Sequence, residues 1–145
     1  MRLVIQRSLK SSVEVEGKVV GKIQHGLVIL VGFTEGDSEK EIDYLVDKVI
    51  HLRIFDDENG VMNLSLLDVE GSILSISQFT LYADASHGRR PSYINALNGE
   101  KAKVLYELWN QKLKNKGIDV KTGIFGADMS VSLINDGPVT ILLER

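Results

Sequence analysis

The chain has 145 residues, of which 43% are hydrophobic, and this size and composition predict a single domain, residues 1–145, with one ordinary core. It has no cysteine, which excludes disulfides, thiolate nucleophiles and cysteine-ligated zinc, and its three histidines lack the spacing of a shared metal site. No segment has the apolar length of a membrane span or the pattern of a signal peptide. We therefore expect a cytoplasmic protein with no metal, no other cofactor and no membrane contact.

The first 33 residues are rich in β-branched side chains and are interrupted by turn residues at Glu16-Gly17 and His25-Gly26. β-Branched residues favour strands, and glycine-containing pairs favour the turns between them. The pattern predicts a β-meander with strands RLVIQR (2–7), SVEVE (12–16), KVVGKI (18–23) and GLVILVGF (26–33).

Two segments have the apolar period of amphipathic helices. Ser38 and Glu41 form a capping box before a run of apolar residues spaced three and four apart, so we expect a first helix over about 39–51. The second helix is expected to begin after Asn98, an N-cap residue, and to end before Gly117, which is typical of the position after a helix. Its predicted apolar face contains Ala102, Leu105, Leu108, Trp109 and Leu113.

The remaining segments predict strands and loops. DDENG (56–60) predicts a loop, and GSILSISQFTLYAD (71–84) predicts a strand that ends irregularly. The C-terminal part predicts strands over 118–123, 130–135 and 139–144, the last two joined by a short connection. This order favours an α+β domain, a largely antiparallel β-sheet or barrel with two main helices, over a doubly wound fold. No glycine-rich phosphate loop follows a strand, which disfavours a kinase or a dehydrogenase.

Charge is distributed unevenly along the chain. The net charge of −3 argues against a protein that coats nucleic acid indiscriminately. Residues 85–121, however, contain eight Lys or Arg and three acidic residues, so this segment is basic and the rest is acidic. The basic residues form either a nucleic-acid-binding face or the solvated side of a helix, and charge alone does not decide between the two.

Three polar segments are candidates for function: SQFTL (77–81), NDGPVT (135–140) and the basic turn GRRPS (88–92). In the basic turn, Pro91 is expected near a helix start, a position suited to holding a phosphate. Two of these segments also have a purely structural interpretation, since Ser77 and Gln78 can bond their own backbone and Gly137-Pro138 can be a hairpin turn. Thr80 is a nucleophile by type, but no His, Lys or acidic residue between 77 and 81 can activate it.

SQFTL, GRRPS, FGADM (125–129) and NDGPVT together resemble the D-aminoacyl-tRNA deacylase family, and the resemblance covers essentially the whole chain. It implies hydrolysis of the ester between a D-amino acid and tRNA, with rejection of L-aminoacyl-tRNA. It also implies a homodimer in which each active site combines residues 77–81 of one subunit with Gly137 and Pro138 of the partner subunit. In the family the Gly-Pro bond is cis, and its carbonyls fill the space that an L side chain would need.

The resemblance also assigns roles within the site. We expect the Phe79 N–H, with Ser77 and Gln78, to orient the ester carbonyl and stabilise its oxyanion. We expect Thr80 to be structural or orienting, and water to attack with help from the 2′-hydroxyl of the tRNA. The expected adenosine contacts are Phe125 and Met129, although both are also plausible core residues. The expected tRNA contacts are Arg89, Arg90 and the lysines near the second helix.

Some questions stay open at this point. Glycyl-tRNA mischarged on tRNA(Ala) is a conceivable further substrate, and DNA is not expected as a partner. The core motifs show no departure from the family, and the variable positions are His87, where a lysine is more usual, and Tyr93, which bear only on peripheral RNA contacts. The alternatives are a non-catalytic RNA-binding module, which would need the basic face but no paired motifs, and a small hydrolase or isomerase acting on a free metabolite.

Overall fold

The computed structural model describes all of residues 1–145 and contains strands, two α-helices and one 3₁₀ turn. In chain order the elements are β1 (Arg2–Val15), β2 (Lys18–Ile23), β3 (Gly26–Gly32), α1 (Glu39–Ile50), β4 (Phe55–Asp56), β5 (Met62–Leu64), β6 (Ser72–Ser77), the 3₁₀ turn (Phe79–Tyr82), α2 (Gly99–Asn115), β7 (Val120–Thr122) and β8 (Ser130–Glu144).

Strand β1 is the centre of the sheet, because three other strands pair with it. β3 pairs with its first half and β2 with its second half, both antiparallel, while β8 runs antiparallel along nearly its whole length. The predicted strands 2–7 and 12–16 are therefore one strand, and the predicted meander is wrong, since β3 pairs with β1 and not with β2. This pairing places Leu3 and Ile5 of β1 opposite Val31 and Ile29 of β3 in the main core.

β8 is one strand interrupted by a large bulge, where the sequence predicted two strands. Both halves pair with β1 in the same direction, so the connection between them is not a hairpin turn. Ser8 opposes Asn135 and Gln6 opposes Thr140, so β8 takes five steps where β1 takes two. Such an insertion leaves the extra residues unpaired while the ladders on either side continue. The Gly137-Pro138 segment therefore lies in a bulge beside β1.

The rest of the sheet is built through β6, which pairs parallel with β3 on one side and with β7 on the other. α1 lies in the connection from β3 to β6 and α2 in that from β6 to β7, as parallel pairing requires. A Cβ built on Gly21 of β2 would lie 2.8 Å from the Thr122 carbonyl oxygen of β7, so the sheet is nearly closed into a barrel. The predicted α+β class, with a largely antiparallel sheet and two main helices, is confirmed. β4 and β5 form a separate short hairpin around the predicted 56–60 loop, which the sequence did not indicate.

Both helices lie where the sequence predicts them. Ser38 caps α1, and its capping box with Glu41 is formed on both sides. Asn98 caps α2, and Gly117 follows the helix with a φ of +84°, a conformation that favours glycine. Neither helix is long and apolar enough to cross a membrane.

α2 is fastened to β6 by hydrogen bonds as well as by apolar packing. The Tyr106 hydroxyl donates to the Ser75 carbonyl oxygen at 2.8 Å, and the Trp109 indole N–H donates to the Ser75 hydroxyl at 3.2 Å. All three residues are buried, although Tyr106 lies outside the predicted apolar face. Because Ser75 precedes Ser77 on the same strand, α2 fixes the end of β6.

Candidate active site

A cavity of about 540 Å³ opens at the point where β6 ends. It is mostly apolar, and its polar groups come from the end of β6 and from the segment before β8. The lining residues are Val31, Gly32, Phe33, Ile76, Ser77, Gln78, Phe79, Leu97, Gly99, Ala102, Phe125, Gly126, Ala127, Asp128, Met129 and Val131. The structure thus brings together five of the predicted site residues, namely Ser77, Gln78, Phe79, Phe125 and Met129.

The hydrogen-bond ladder of β6 ends at this cavity, and the backbone N–H that follows has no partner. The Gln78 N–H makes the last ladder bond, to the Val31 carbonyl oxygen at 2.8 Å, and the 3₁₀ turn begins at the next residue. The first N–H groups of a helical turn have no partner within that turn. The Phe79 N–H is at this position and donates no backbone hydrogen bond in the turns, loops and caps of the chain. A backbone donor is therefore available at the cavity wall.

Thr80 does not line the cavity. Its hydroxyl accepts a hydrogen bond of 2.6 Å from the Gln78 side-chain amide, and no titratable group bonds to it. This geometry orients Gln78 and provides no base for the threonine hydroxyl.

Asp128 is the one titratable residue in the cavity lining, and the sequence interpretation passed over it. It lies within the FGADM segment, where only Phe125 and Met129 were singled out. Its signal in the sequence was its charge in an otherwise apolar motif. No group of three or more His, Asp or Glu side chains in the chain could hold a metal ion.

The Gly137-Pro138 peptide bond is cis, as the resemblance implied. Both residues are exposed in the bulge of β8. Asn135 closes the bulge from its own side: its side-chain oxygen accepts the Val139 N–H at 3.2 Å, and its amide donates to the Thr140 hydroxyl at 3.0 Å. The bulge therefore has its own internal hydrogen bonds.

Arg7 holds the bulge from the side of β1. Its Nε donates to the Asp136 carbonyl oxygen at 3.2 Å and lies 3.0 Å from the Asp136 carboxylate. Its Nη1 donates to the Ile54 carbonyl oxygen at 2.9 Å and pairs with Asp56 at 3.3 Å. The Arg7 side chain is only 7% exposed, so it is a buried cation with partners in two segments. The sequence analysis missed it because an arginine in a strand pattern is expected to face the solvent.

Within one chain the bulge and the Ser77 segment lie apart. Neither Gly137 nor Pro138 lines the cavity, and the strands β1 and β3 lie between β8 and β6 in the pairing order. The two motifs that the resemblance places in one active site are therefore not joined by the fold of a single chain.

Arg2 holds the far end of the 3₁₀ turn. Its Nη1 donates to the Leu81 carbonyl oxygen at 2.6 Å, its Nη2 pairs with Glu144 at 2.8 Å, and its guanidinium lies 4.6 Å from the centre of the Tyr82 ring. Burial raises the pKa of the Tyr82 phenol to about 12, and the Asp37 carboxylate adds to this rise. Arg2 thus joins the turn to the end of β8, a contact that the sequence did not indicate.

Arg89 and Arg90 lie in an exposed loop and form no ion pair. The expectation that Pro91 stands near a helix start is wrong. The chain first forms the bridge between Asp84 and Ser92 and further turns, and α2 begins only at Gly99. The loop is therefore not aligned with the N-terminus of a helix.

Part of the basic segment is the solvated side of α2. Lys112 lies 2.5 Å from Asp43 and 2.6 Å from Glu39 of α1, and these hydrogen bonds raise the pKa of Lys112. Lys101 pairs with Glu35 at 3.3 Å. Some of the positive charge on α2 is therefore neutralised within the chain, unlike that of the 88–92 loop.

Comparison with known proteins gives a consistent picture. A family model described as D-Tyr-tRNA(Tyr) deacylase matches residues 4–144. A Brevibacillus brevis protein named D-aminoacyl-tRNA deacylase is 56% identical over 144 residues, which is 99% of this chain and 99% of that protein.

Two solved structures have the same fold. One, described as c-Myc DNA Unwinding Element Binding Protein, is 37% identical, with a TM-score of 0.94 over 100% of this chain and 99% of that chain. Another, described as a probable eukaryotic D-amino acid tRNA deacylase, is 18% identical, with a TM-score of 0.84 over 98% of this chain and 97% of that chain. At that identity the second likeness concerns the fold alone.

Proposed function

The chain belongs to the D-Tyr-tRNA(Tyr) deacylase family, and on that premise we propose that it hydrolyses the ester between a D-amino acid and the 3′ end of a tRNA. The products are the free D-amino acid and the uncharged tRNA. The observation that carries the proposal is the cavity at the end of β6, where Ser77, Gln78 and Phe79 meet Phe125 and Met129. Such hydrolysis would serve chiral proofreading during translation in the cytoplasm.

The reaction we propose is direct attack by water on the ester carbonyl. As the new carbon–oxygen bond forms, negative charge develops on the carbonyl oxygen, and a preset donor lowers the barrier. The free N–H of Phe79 is that donor, while Ser77 and Gln78 orient the carbonyl. The ester bond then breaks, the ribose oxygen takes a proton, and the amino acid leaves as a carboxylate.

Thr80 acts by orienting Gln78 rather than as a nucleophile. Its hydroxyl already accepts the Gln78 amide and has no titratable partner. No titratable side chain bonds to the Thr80 hydroxyl, and we assign the 2′-hydroxyl of the substrate to position or activate the water. The terminal adenosine occupies the apolar side of the cavity formed by Phe125 and Met129.

Chiral selection, in our proposal, comes from Gly137 and Pro138 of the partner subunit in a homodimer. Within one chain this bulge does not reach the cavity, while its exposed position suits insertion into a second copy. Backbone carbonyls can accept the hydrogen bonds of the substrate ammonium and exclude an L side chain by collision. Glycine has no side chain to exclude, so glycyl-tRNA mischarged on tRNA(Ala) would also be accepted.

Recognition of tRNA beyond the adenosine is assigned to Arg89 and Arg90. Both are exposed and unpaired, so they are free to contact the phosphates of the acceptor end. Contacts to phosphate position a nucleic acid and carry no sequence information, which fits an enzyme that acts on many tRNAs.

The test is hydrolysis of D-tyrosyl-tRNA and L-tyrosyl-tRNA by the purified protein. We expect release of D-tyrosine with little release of L-tyrosine, and slower hydrolysis of a simple D-tyrosine ester. Tight binding of tRNA without turnover would instead support an RNA-binding module. Equal turnover of the free ester and the charged tRNA would support a hydrolase of small metabolites.

A further inference from the structure

We propose that Phe79 and Tyr93, called here the aromatic pair, form a stacking surface for the nucleobase that precedes the terminal adenosine of the tRNA. The proposal rests on the proposed function and adds a contact for the single-stranded 3′ end outside the cavity.

The aromatic pair is exposed where a core aromatic would be buried. Phe79 is 56% exposed and Tyr93 is 43% exposed, and their ring centres lie 5.2 Å apart at an angle of 65°. Edge-to-face aromatic contacts of this kind fix the two rings relative to one another. An exposed aromatic surface beside a functional cavity is typical of a binding site.

The position of the pair connects it to the cavity. Phe79 lines the cavity and carries the N–H assigned to the ester carbonyl, while its ring reaches outward to Tyr93. A chain of nucleotides whose last adenosine lies in the cavity must leave past its rim. The aromatic pair lies at this rim, within reach of the next base.

Tyr93 is held in place by its backbone. Ser92 exchanges two hydrogen bonds of 2.8 Å with Asp84, and the Tyr93 carbonyl oxygen accepts the Ala96 N–H at 3.0 Å. Ser92 and the backbone of Tyr93 are thus anchored, so the backbone that carries the ring is in position before a ligand binds. A prepositioned ring loses little freedom on binding, which favours affinity.

The charge of the surroundings indicates which ligand the pair accepts. Arg89 and Arg90 lie in the same loop as Tyr93, are exposed and form no ion pair. Positive side chains beside exposed aromatic rings are the combination with which proteins bind single-stranded nucleic acid. Stacking on an aromatic ring tolerates any base, and the 3′ end common to all tRNAs places a cytosine at this position. The side chain of the substrate tyrosine is uncharged and would gain nothing from the adjacent positive charge.

The experiment compares two substrates: D-tyrosine esterified to adenosine, and D-tyrosine esterified to the trinucleotide CCA. The measured quantity is the ratio of kcat/KM for the trinucleotide ester to that for the adenosine ester. In the wild-type protein we expect the trinucleotide to be preferred. Tyr93→Leu keeps an apolar side chain without the π-face and should reduce this ratio about tenfold, as expected for one lost base stack. Tyr93→Phe should preserve the ratio.

Ile94→Ser provides the matched control, because Ile94 is 87% exposed beside Tyr93 and is no part of the aromatic pair. It should leave the ratio unchanged, and thermal melting should show all three variants to be folded. An unchanged ratio in Tyr93→Leu overturns the inference. Equal loss on both substrates also overturns it, since the ring would then contact the amino acid or support the fold. A variant that becomes monomeric in sedimentation would assign the pair to a dimer interface instead. If the wild-type protein fails to hydrolyse D-tyrosyl-tRNA, the proposed function falls and this inference with it.

Discussion

Gln78 and Thr80 are joined by a hydrogen bond of 2.6 Å, and this bond separates two possible mechanisms. If Gln78 orients the substrate and Thr80 orients Gln78, then Gln78→Ala should lower kcat by roughly ten- to a thousandfold, the range for lost carbonyl-orienting groups. Thr80→Val should lower kcat less. Ser77→Ala should behave like Gln78→Ala. Single-turnover kinetics with D-tyrosyl-tRNA measure the three effects.

Thr80→Ser is the matched control, since it retains the hydroxyl and should keep nearly full activity. Complete inactivity of a folded Thr80→Val protein, or an acyl group trapped on Thr80, would show that the attack is covalent.

Gly137 is a position where even one added carbon has close neighbours. A Cβ there would lie 2.7 Å from Cγ2 of Val139 and 3.1 Å from Nη2 of Arg7, at a φ of +121° that L side chains rarely adopt. Gly137→Ala should therefore displace the bulge and lower kcat/KM on D-tyrosyl-tRNA by about tenfold or more. Steady-state kinetics with D- and L-tyrosyl-tRNA measure this effect.

Gly36→Ala separates displacement of the bulge from backbone strain. Gly36 has a φ of +93°, but a Cβ there would have no neighbour within 4 Å. It should cost about 1 kcal/mol of stability and leave activity unchanged. Equal loss of activity in the two variants would mean that the bulge has no special role.

The 3₁₀ turn is a short element, and a turn of this length depends on contacts outside itself. Arg2 provides such a contact through the Leu81 carbonyl oxygen, and Glu144 fixes the guanidinium from the other side. Arg2→Ala should loosen the turn and lower kcat more than it raises KM, because the Phe79 N–H would no longer be held in position. Amide hydrogen exchange across 79–83 should become faster.

Two further variants test whether Arg2 acts through the Leu81 bond. Arg2→Lys should restore part of kcat, since a lysine can still donate to the carbonyl oxygen. Glu144→Gln removes only an exposed ion pair and should change little. If Arg2→Ala alters KM alone, Arg2 contacts the substrate instead of positioning the turn.

An element could be predicted from the sequence when the contacts that determine it lie close together in the chain. The capping box of Ser38 and Glu41, and Gly117 after α2, act within one turn of a helix, so both helices were predicted correctly. The pairing of β3 with β1 depends on contacts between distant segments, and the strand pattern does not specify a partner. Adjacent strands were therefore paired wrongly.

The same reasoning explains the site. Ser77, Gln78, Phe79, Phe125 and Met129 stand in recognisable motifs, and the structure brings them to one cavity. Arg2 and Arg7 contact residues far along the chain, at Leu81 and Asp136, and such contacts leave no periodic trace in the sequence. Only the packing of the whole chain reveals them.

At the scale of the whole molecule, the question is whether each active site is shared between two subunits. If each site uses residues 77–81 of one chain and the bulge of the other, two defective variants should complement each other. In a heterodimer of Gln78→Ala with Gly137→Ala, one of the two sites is built entirely from unchanged residues. Random assembly of equal amounts should then restore about a quarter of the wild-type sites.

Complementation is measured by coexpressing the two variants and assaying D-tyrosyl-tRNA hydrolysis against each variant alone. A mixture of two copies of the same variant is the control. Activity no higher than the average of the two variants, in a sample shown to contain heterodimers, would place each site within one subunit.

The charge distribution of the molecule predicts how tRNA binding depends on salt. The chain has a net charge of −3, while Arg89 and Arg90 form an exposed positive loop. Replacing both with Ala should weaken tRNA binding and reduce the slope of log K against log salt by roughly one per lost phosphate contact. Chiral selectivity should remain. As a control, Lys18→Ala with Lys40→Ala removes the same charge elsewhere and should leave the slope unchanged. An unchanged slope in the arginine variant would mean that Arg89 and Arg90 are solvated surface residues without phosphate contacts.

The bulge of β8 also bears on how such a protein can evolve. On either side of it, β8 keeps its pairing with β1, and the inserted residues are held by Arg7 and Asn135 rather than by the ladder. Changes in the length or sequence of the insertion can therefore accumulate without shifting the register of the sheet. If the bulge sets the stereochemical preference as proposed, selection can vary that preference at this point while the inherited fold stays the same.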